Sequence, residues 1–514
     1  MEALKLEKVI EVMGGQWVPL GPDASDISAV SVSSVSTDSR SLSTSPDGGG
    51  DVANDTLFVT LSGDRFDAHE FLPEIASRVR AAVVSETRLD RVRAAVANAR
   101  DGMGAIVVPD PLEALARLAA WYRTRLPAAV IGITGSVGKT TVKEFLGQLL
   151  SRSYPTVRAE KSFNNLIGLS LTLLKADRQT RFLVAELGTS APGEISQLTR
   201  MAAPDFAVVT CVAAAHLEGL GDLDGVAREK SSIFEGLQPG GVALIPVPIH
   251  GEELFLDQAQ ERAGHVLRVG WFLEGNCPPG YWITGCGRNV DRPGFRFEIN
   301  RRHVFDLPHP GRHNVFNAVV AAAVAHECGV DWEDLQQAVA ELRLPPLRLQ
   351  LSKAGGVTIV DDTYNANPMS VRGALEAVRD MHLPDGGRWH LVLGDLLELG
   401  DDASSFHRHL GEEIAESSVF ARMWTVGKES RHAAESATVH GLEADAVSVS
   451  ESDRLMRDLC QELRPGDGVL FKASRGLALD VVARGLREAL GDDNEDATKT
   501  EKGGPGSSHA VLSL

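Results

Sequence analysis

Short apolar runs that end on a polar or acidic residue recur along the chain, separated by stretches in which apolar positions return every three or four residues. RFLVAE at 181–186, DFAVVT at 205–210 and GGVALIPV at 240–247 are the clearest in the middle of the sequence. Runs of this length read as buried strands, and their alternation with helical periodicity predicts a parallel sheet flanked by helices. Pro345 and Pro346 then interrupt the pattern and mark a hinge. Beyond them VTIVDD at 357–362, WHLVLGD at 389–395, ARMWTVG at 421–427 and GVLFKASRG at 468–476 form a second series. It predicts another doubly wound unit. Ahead of both, shorter β-rich pieces at 55–61 and 81–85, with helical stretches such as 111–125, predict a small α/β unit. The opening MEALKLEKVIEVMGG reads as its first amphipathic helix.

A chain of 514 residues exceeds what one core accommodates, so three domains are expected. Their bounds are 1–126, 127–345 and 346–490, and the charged, glycine-rich 491–514 is expected to be a disordered tail. Residues 43–55, STSPDGGGDVAND, bury little apolar area and read as a flexible surface loop.

Within the central series, AAVIGITGSVGKTT at 128–141 joins an apolar run to a glycine turn closed by Lys139, Thr140 and Thr141. Gly135 and Gly138 let successive N–H groups point at one anion, Lys139 adds a mobile cation, and Thr140 offers a hydroxyl to Mg²⁺. The helix expected over 142–150 turns its positive end toward the same phosphates. The first glycine of the usual loop pattern would fall at Ile133, whereas the sequence has Gly132 one place earlier. The central domain is therefore expected to be a P-loop ATPase-type sheet, between a small α/β domain and a C-terminal Rossmann-like one.

A net charge of −19 argues against a general nucleic-acid or membrane surface, because a phosphate backbone requires a basic face. Anions must then be held by local charge and metal. The five cysteines contain no C-x-x-C pair, which supports neither a disulfide framework nor a zinc site and suits a reducing cytoplasm. No uncharged apolar run is long enough to span a membrane.

A strand that ends on an acid puts a carboxylate at the sheet edge where the phosphate loop opens, which makes Glu186 a candidate Mg²⁺ ligand. His216 and Glu218 follow the next strand, and His216 reads equally as a metal ligand or a hydrogen-bonded rim histidine. Lys230, in GVAREKSSIF, reads by itself as a solvated helix lysine. His407 and His409 form an H-x-H pair in a charged stretch and, lacking a third ligand, are expected to be solvated.

TGSVGKTT, SFNNLIG, VAELGTSAPGEI and AAAHLEGLGDLDGVAREKSSIF occur in an order that resembles the central domain of the Mur ligases. PGRHNVFNAVVAAAVA, DDTYNANPMSVRGAL, VSTDSR, LFVTLSGDRFDAHEFL and LGDLLELGDDASSFHRHLG extend the resemblance over nearly all of 35–485. NANP after DDTY points to the branch that adds D-alanyl-D-alanine to UDP-N-acetylmuramoyl-tripeptide. The resemblance implies an ATP- and Mg²⁺-dependent amide ligase of cell-wall synthesis, working as a cytoplasmic monomer. It implies that Thr134, Gly135, Ser136, Val137, Gly138, Lys139, Thr140 and Thr141 hold ATP, with Asn314 and Asn317 at adenine and Asn164 or Asn165 near the γ-phosphate. Thr140 and Glu186 would share one Mg²⁺; His216 and a carbamylated Lys230 would hold a second. Arg348 and Asp362 would come to the nucleotide from the C-terminal domain. Ser39, Arg40, Arg65, Phe66 and His69 would seat the UDP-sugar, and Tyr364, Asn365 and Asn367 the dipeptide. Read alone, Asn314 and Asn317 fit a helix start, Arg348 a surface cation, and Asn365 and Asn367 an Asx turn before Pro368. The chain departs from the family in the prolines of GGVALIPVPIH and in the inserted 43–55. A sister ligase that adds one amino acid, a folate-type glutamate ligase and a nucleotide-binding partner without turnover are the competing expectations.

Overall fold

The strand Ala129–Thr134 is apolar on both faces and almost wholly buried, the condition of a central strand in a parallel sheet covered by helices on each side. The computed structural model describes residues 1–491 apart from 21–23, 25, 43–54, 64–65, 97–102, 273, 276–277, 290–293, 385 and 398. The chain divides into two compact units, Met1–His309 with His313–Arg343, and Pro310–Arg312 with everything from Leu344 onward.

The first unit holds two large sheets. Gln16–Pro19, Gly104–Val108, Ala81–Ser85, Thr56–Val59 and Ser34–Ser36 lie side by side, parallel except for the first pair. The second sheet runs Thr156–Arg158, Phe182–Glu186, Ala129–Thr134, Phe206–Val209, Val242–Val247, His265–Trp271, Tyr281–Arg288, Phe295–Ile299 and His303–Leu307. Its last two pairings are antiparallel, a departure from the all-parallel expectation. FRFEI and HVFDL in these strands alternate inward and outward, a period-2 signal too short to register beside the longer apolar runs. The chain leaves Ala129–Thr134 for strands on one side and returns to Phe206–Val209 on the other, so the glycine turn opens at a topological switch point.

One apolar core serves both sheets of this unit. Leu115 and Leu118 of the helix Pro111–Arg123 pack in the same buried cluster as Leu57 and Val83 of the first sheet and Leu169 and Leu173 of the helix Leu166–Lys175. Tyr122 donates its hydroxyl to Ala176 O at 2.8 Å, and Arg123 reaches Ala202 O at 2.8 Å and Asp205 at 3.0 Å. The amphipathic N-terminal helix is Leu6–Met13, with Leu6, Val9 and Met13 inward.

The second unit is a six-stranded sheet in the order Gln350–Ala354, Val357–Asp362, Gly468–Lys472, Trp389–Gly394, Phe420–Val426 and Glu443–Val447, parallel except at its first pairing. Separate apolar clusters cover its two faces, as the doubly wound reading requires. The expectation that His407 is solvated is corrected here. Its ring is buried, near Ala403 O at 2.7 Å through Nδ1 and accepting Leu396 N–H at 3.1 Å through Nε2. Leu410 and Ile414 pack inward from the same helix, Ala403–Glu416, so one face of a mostly charged stretch is core. His409 is exposed, as expected. The insert and the tail lie, but for Asp55 and Gly491, outside the described residues. Among the described residues no helix is long and apolar enough to cross a membrane.

Because Leu118 is fully buried in the core that both sheets of the first unit share, Leu118→Ala is expected to cost about 2–5 kcal/mol of stability. Urea denaturation followed by circular dichroism checks it; an unchanged midpoint would contradict the shared core.

Candidate functional site

Thr134 ends its strand, and the chain turns back over Gly135, at φ +142°, and Gly138, at φ +88°. Close neighbours make both glycines necessary. A Cβ at 135 would fall 2.0 Å from Thr210 Oγ1, and one at 138 would fall 2.6 Å from Asn317 Oδ1. Ser136 N–H donates to Cys211 O at 2.9 Å, its hydroxyl donates to Ala213 O at 3.0 Å, and Thr210 donates to Val137 O at 2.5 Å. The turn is thus clamped to the neighbouring strand end. The helix Lys139–Ser151 follows, longer than expected by three residues at its start, and no side chain caps it. Its first N–H groups and positive dipole end face the turn, the build of an anion site. Lys139 curls over the loop and donates to Gly135 O at 2.6 Å. Thr140 and Thr141 are buried in the first helical turn. Asn314 and Asn317, one turn apart near the start of the helix Arg312–Glu327, are also buried, and Asn317 reaches the loop.

Glu186 pairs in register with Ile133, one residue short of Thr134, so its carboxylate stands beside the turn. Oε1 accepts from Thr140 Oγ1 at 3.3 Å and from Asn164 Nδ2 at 3.1 Å. Oε2 is buried without a hydrogen bond among the described residues and lies 3.7 Å from Lys143 Nζ. The two asparagines of SFNNLIG part company here. Asn164 reaches Glu186, whereas Asn165 caps the helix Leu166–Lys175 by accepting Gly168 N–H at 3.0 Å.

Lys230 belongs to the helix Leu223–Ser231, capped by Asp222. Its side chain is fully buried, and its Nζ has no hydrogen-bond partner among the described residues. Burial, and then repulsion from Lys139, push its pKa far below the usual lysine range; Glu229, Cys211 and Glu194 oppose this without overcoming it. Glu229 is committed elsewhere, accepting the N–H groups of Gly193 at 2.7 Å and Ile195 at 2.8 Å. His216 is half-buried in the left-handed region at φ +56°, immediately before the short helix Leu217–Leu220. It is one of the groups that act on Glu194. Burial alone would raise that carboxyl, but the N–H groups of Ser190 and Ala191, the Thr189 hydroxyl and His216 hold it below its ordinary value. No cluster of three His, Cys, Asp or Glu side chains suited to a metal occurs among the described residues. Thr140 Oγ1 and the Glu186 carboxylate, 3.3 Å apart, are oxygen donors of the kind Mg²⁺ takes.

The residues expected at the UDP-sugar lie in the first compact unit. Ser39 and Arg40 sit in a single 3₁₀ turn, and the exposed Arg40 forks onto Asp38 at 2.9 Å. Phe66 is 56% exposed. His69 is buried and its ring is spent internally: Nε2 lies 2.8 Å from Thr60 Oγ1 and 3.2 Å from Ser85 N, and Nδ1 lies 2.5 Å from Asp67 Oδ1. Burial alone would raise Asp67, but the His69 ring and N–H and the Ser62 hydroxyl bring it down to about 2. His69 thereby shapes its loop from within. Arg65 lies outside the described residues.

Arg348, Asp362, Tyr364, Asn365 and Asn367 belong to the second compact unit. The Arg348 guanidinium stands 4.5 Å over the Tyr364 ring. Asp362 accepts Leu349 N–H at 3.3 Å and pairs with Lys472 at 2.9 Å. Asn365 Oδ1 accepts Ala366 N–H at 3.0 Å, and Asn367 forms a capping box with Ser370 at the head of the helix Pro368–Arg379.

Four residues passed over in the sequence organise these groups: Thr210 under the glycine turn, Lys143 beside Glu186, Lys472 beneath Asp362 and Asn365, and Ser474, which bonds both Ala366 O and Leu397 N–H. Lys472 and Thr210 left a signal, as the polar ends of the apolar runs GVLFK and DFAVVT.

The chain matches the Mur ligase middle domain over residues 133–325 and the glutamate ligase domain of Mur ligases over residues 347–475. It is 36% identical to the UDP-N-acetylmuramoyl-tripeptide--D-alanyl-D-alanine ligase of Bacillus subtilis, covering 84% of this chain and 90% of that one. Its fold superposes on a crystal structure of MurF from Acinetobacter baumannii with a TM-score of 0.79 at 28% identity, covering 95% and 99% of the two chains. MurF from Thermotoga maritima, solved in complex with ADP, gives 0.69 at 26% identity over 85% and 95%.

Gly138→Ala combines a left-handed backbone with a contact of 2.6 Å to Asn317. With about 1–3 kcal/mol of strain at such a position, nucleotide affinity is expected to fall by roughly tenfold or more. Titration with a fluorescent ATP analogue reads it, alongside a circular dichroism spectrum matching the wild type.

Proposed function

Because the chain belongs to the Mur ligase family, we propose that the glycine turn, Glu186, His216 and Lys230 are the nucleotide- and metal-handling centre of its ATP-dependent ligation. The activity is that of a UDP-N-acetylmuramoyl-tripeptide--D-alanyl-D-alanine ligase of peptidoglycan synthesis. The observation that carries the site assignment is the Lys230 amine, fully buried, unpartnered among the described residues and depressed in pKa. An uncompensated ammonium there is costly. A neutral amine is also the form that attacks CO₂: the new N–C bond forms, the nitrogen gives up a proton, and the lysine becomes an anionic carbamate. That change converts repulsion from Lys139 into attraction.

In this reading, Gly135–Thr141 and Lys139 hold the ATP phosphates, while Asn314 and Asn317 approach adenine. Thr140 and Glu186 would hold one Mg²⁺, and His216 with carbamylated Lys230 a second. When bound, the ions would offset phosphate charge so that two anions can meet. An oxygen of the tripeptide's terminal carboxylate attacks the γ-phosphorus and the bond to ADP breaks, leaving an acyl phosphate. Lys139 follows the charge that shifts during this transfer, and Asn164 keeps Glu186 turned toward Thr140. The amine of D-alanyl-D-alanine then attacks the activated carbonyl, loses a proton, and phosphate departs. Ser39, Arg40, Arg65 and Phe66 are proposed to seat the UDP-sugar, with His69 shaping their loop. Arg348 and Asp362 are proposed to act at the nucleotide, and Tyr364, Asn365 and Asn367 at the dipeptide. The free cysteines Cys211, Cys286, Cys328 and Cys460 support a reducing cytoplasm, where the chain is proposed to act as a monomer.

Purified protein is expected to release ADP with the UDP-linked tripeptide and D-alanyl-D-alanine together, and not when a single diamino acid replaces the dipeptide. Activity with the lone amino acid alone would overturn the substrate assignment. Lys230→Ala is expected to lower turnover by about a hundredfold or more through loss of a charged group at the transferring phosphoryl. An unchanged rate, with and without bicarbonate, would remove the carbamate from the mechanism.

A further inference from the structure

Lys143 takes no part in the site assigned above, yet its side chain is completely buried. It stands one helical turn after Lys139 in the helix Lys139–Ser151, on the same face. Its ammonium donates to the Lys161 carbonyl, lies 3.3 Å from Glu144 Oε1 and 3.7 Å from Glu186 Oε2. Glu144 is held in turn by Arg158 at 3.1 Å. An aliphatic side chain would fill this interior without the cost of burying a charge, so the cation contributes something other than packing.

What it contributes follows from the geometry of Glu186. With Oε2 turned toward Lys143, Oε1 is left to Thr140 and Asn164. The Lys161 carbonyl is the other end of the same grip. Lys161 has a positive φ of 45°, three residues before Asn164, an unfavourable backbone for a residue with a side chain. One ammonium therefore fixes both the carboxylate and the segment that carries its asparagine partner.

We propose that Lys143 is a positioning residue, holding Glu186 and the 161–164 segment in the orientation that lets a divalent cation bind together with nucleotide. The inference rests on the assignment of Glu186 and Thr140 to that cation. Lys143 would act behind a metal ligand, where loss of a partner typically weakens metal affinity by about ten- to a hundredfold.

The experiment measures ADP binding by calorimetry, once with Mg²⁺ and once with EDTA, on the wild type and on Lys143→Met. The wild type should bind ADP more tightly with Mg²⁺. In Lys143→Met that Mg²⁺-dependent gain should shrink by about tenfold or more while affinity in EDTA is unchanged. A gain equal to that of the wild type, or the same loss in both buffers, overturns the proposal, because a merely structural lysine would not select for metal. A wild type without any Mg²⁺-dependent gain overturns the metal assignment itself. Should Lys143→Met fail to fold by circular dichroism, Lys143→Gln keeps a donor for the Lys161 carbonyl but no charge toward Glu186, and the same criteria decide.

Discussion

Lys139, Lys143 and Lys230 converge around one glycine turn, and the last two are buried without water to screen them. Like charges in such surroundings repel strongly, so each must be offset locally or lose its proton. The fold answers differently for each. Lys139 lies over its own loop on the Gly135 carbonyl, Lys143 is set between a carbonyl and two carboxylates, and Lys230, without a hydrogen-bond partner among the described residues, has its pKa pushed down by burial and by Lys139. The candidate chemistry of the turn follows from that division.

The switch point of the nine-stranded sheet makes this convergence possible. Ala129–Thr134 has Phe182–Glu186 on one side and Phe206–Val209 on the other, so residues some fifty and seventy-five positions apart in the chain meet at one edge, as the bonds from Thr134 to Leu187 and from Ser136 to Ala213 record. A strand-end threonine and an asparagine near a helix start become walls of the turn. Thr210 and Asn317 crowd Gly135 and Gly138 so closely that a Cβ at either would clash, which ties the glycine turn to two other segments.

The second unit uses the same device on a smaller scale. Lys472, buried at the end of its strand, takes Asp362 Oδ2 and Asn365 O, and Ser474 joins Ala366 to Leu397. The loop from Asp362 to Asn367 is thus held from beneath by side chains of one strand end, although it lacks regular structure of its own. Its asparagines serve partly as turn and cap residues, the reading they had in isolation, and this is compatible with a binding role for the atoms they leave outward.

The fold was largely legible in the sequence because strand and helix periodicities are local. RFLVAE, DFAVVT and VTIVDD became strands, and the glycine turn fell where expected, with its helix starting three residues earlier. The antiparallel hairpins beyond Trp271 were not, since short alternating segments are weak beside long apolar runs. Amino-acid order alone named Glu186 and Lys139, reached Lys230 only through the family resemblance, did not distinguish Asn164 from Asn165, treated His407 as solvated and passed over Lys143. Those outcomes depend on which distant groups share a buried volume, and burial is a property of the packed chain. The sequence by itself determined the glycine turn, the alternating elements and the acids at their ends; only the tertiary structure decided which charges lie without water, because solvation is set by neighbours that the sequence does not place side by side.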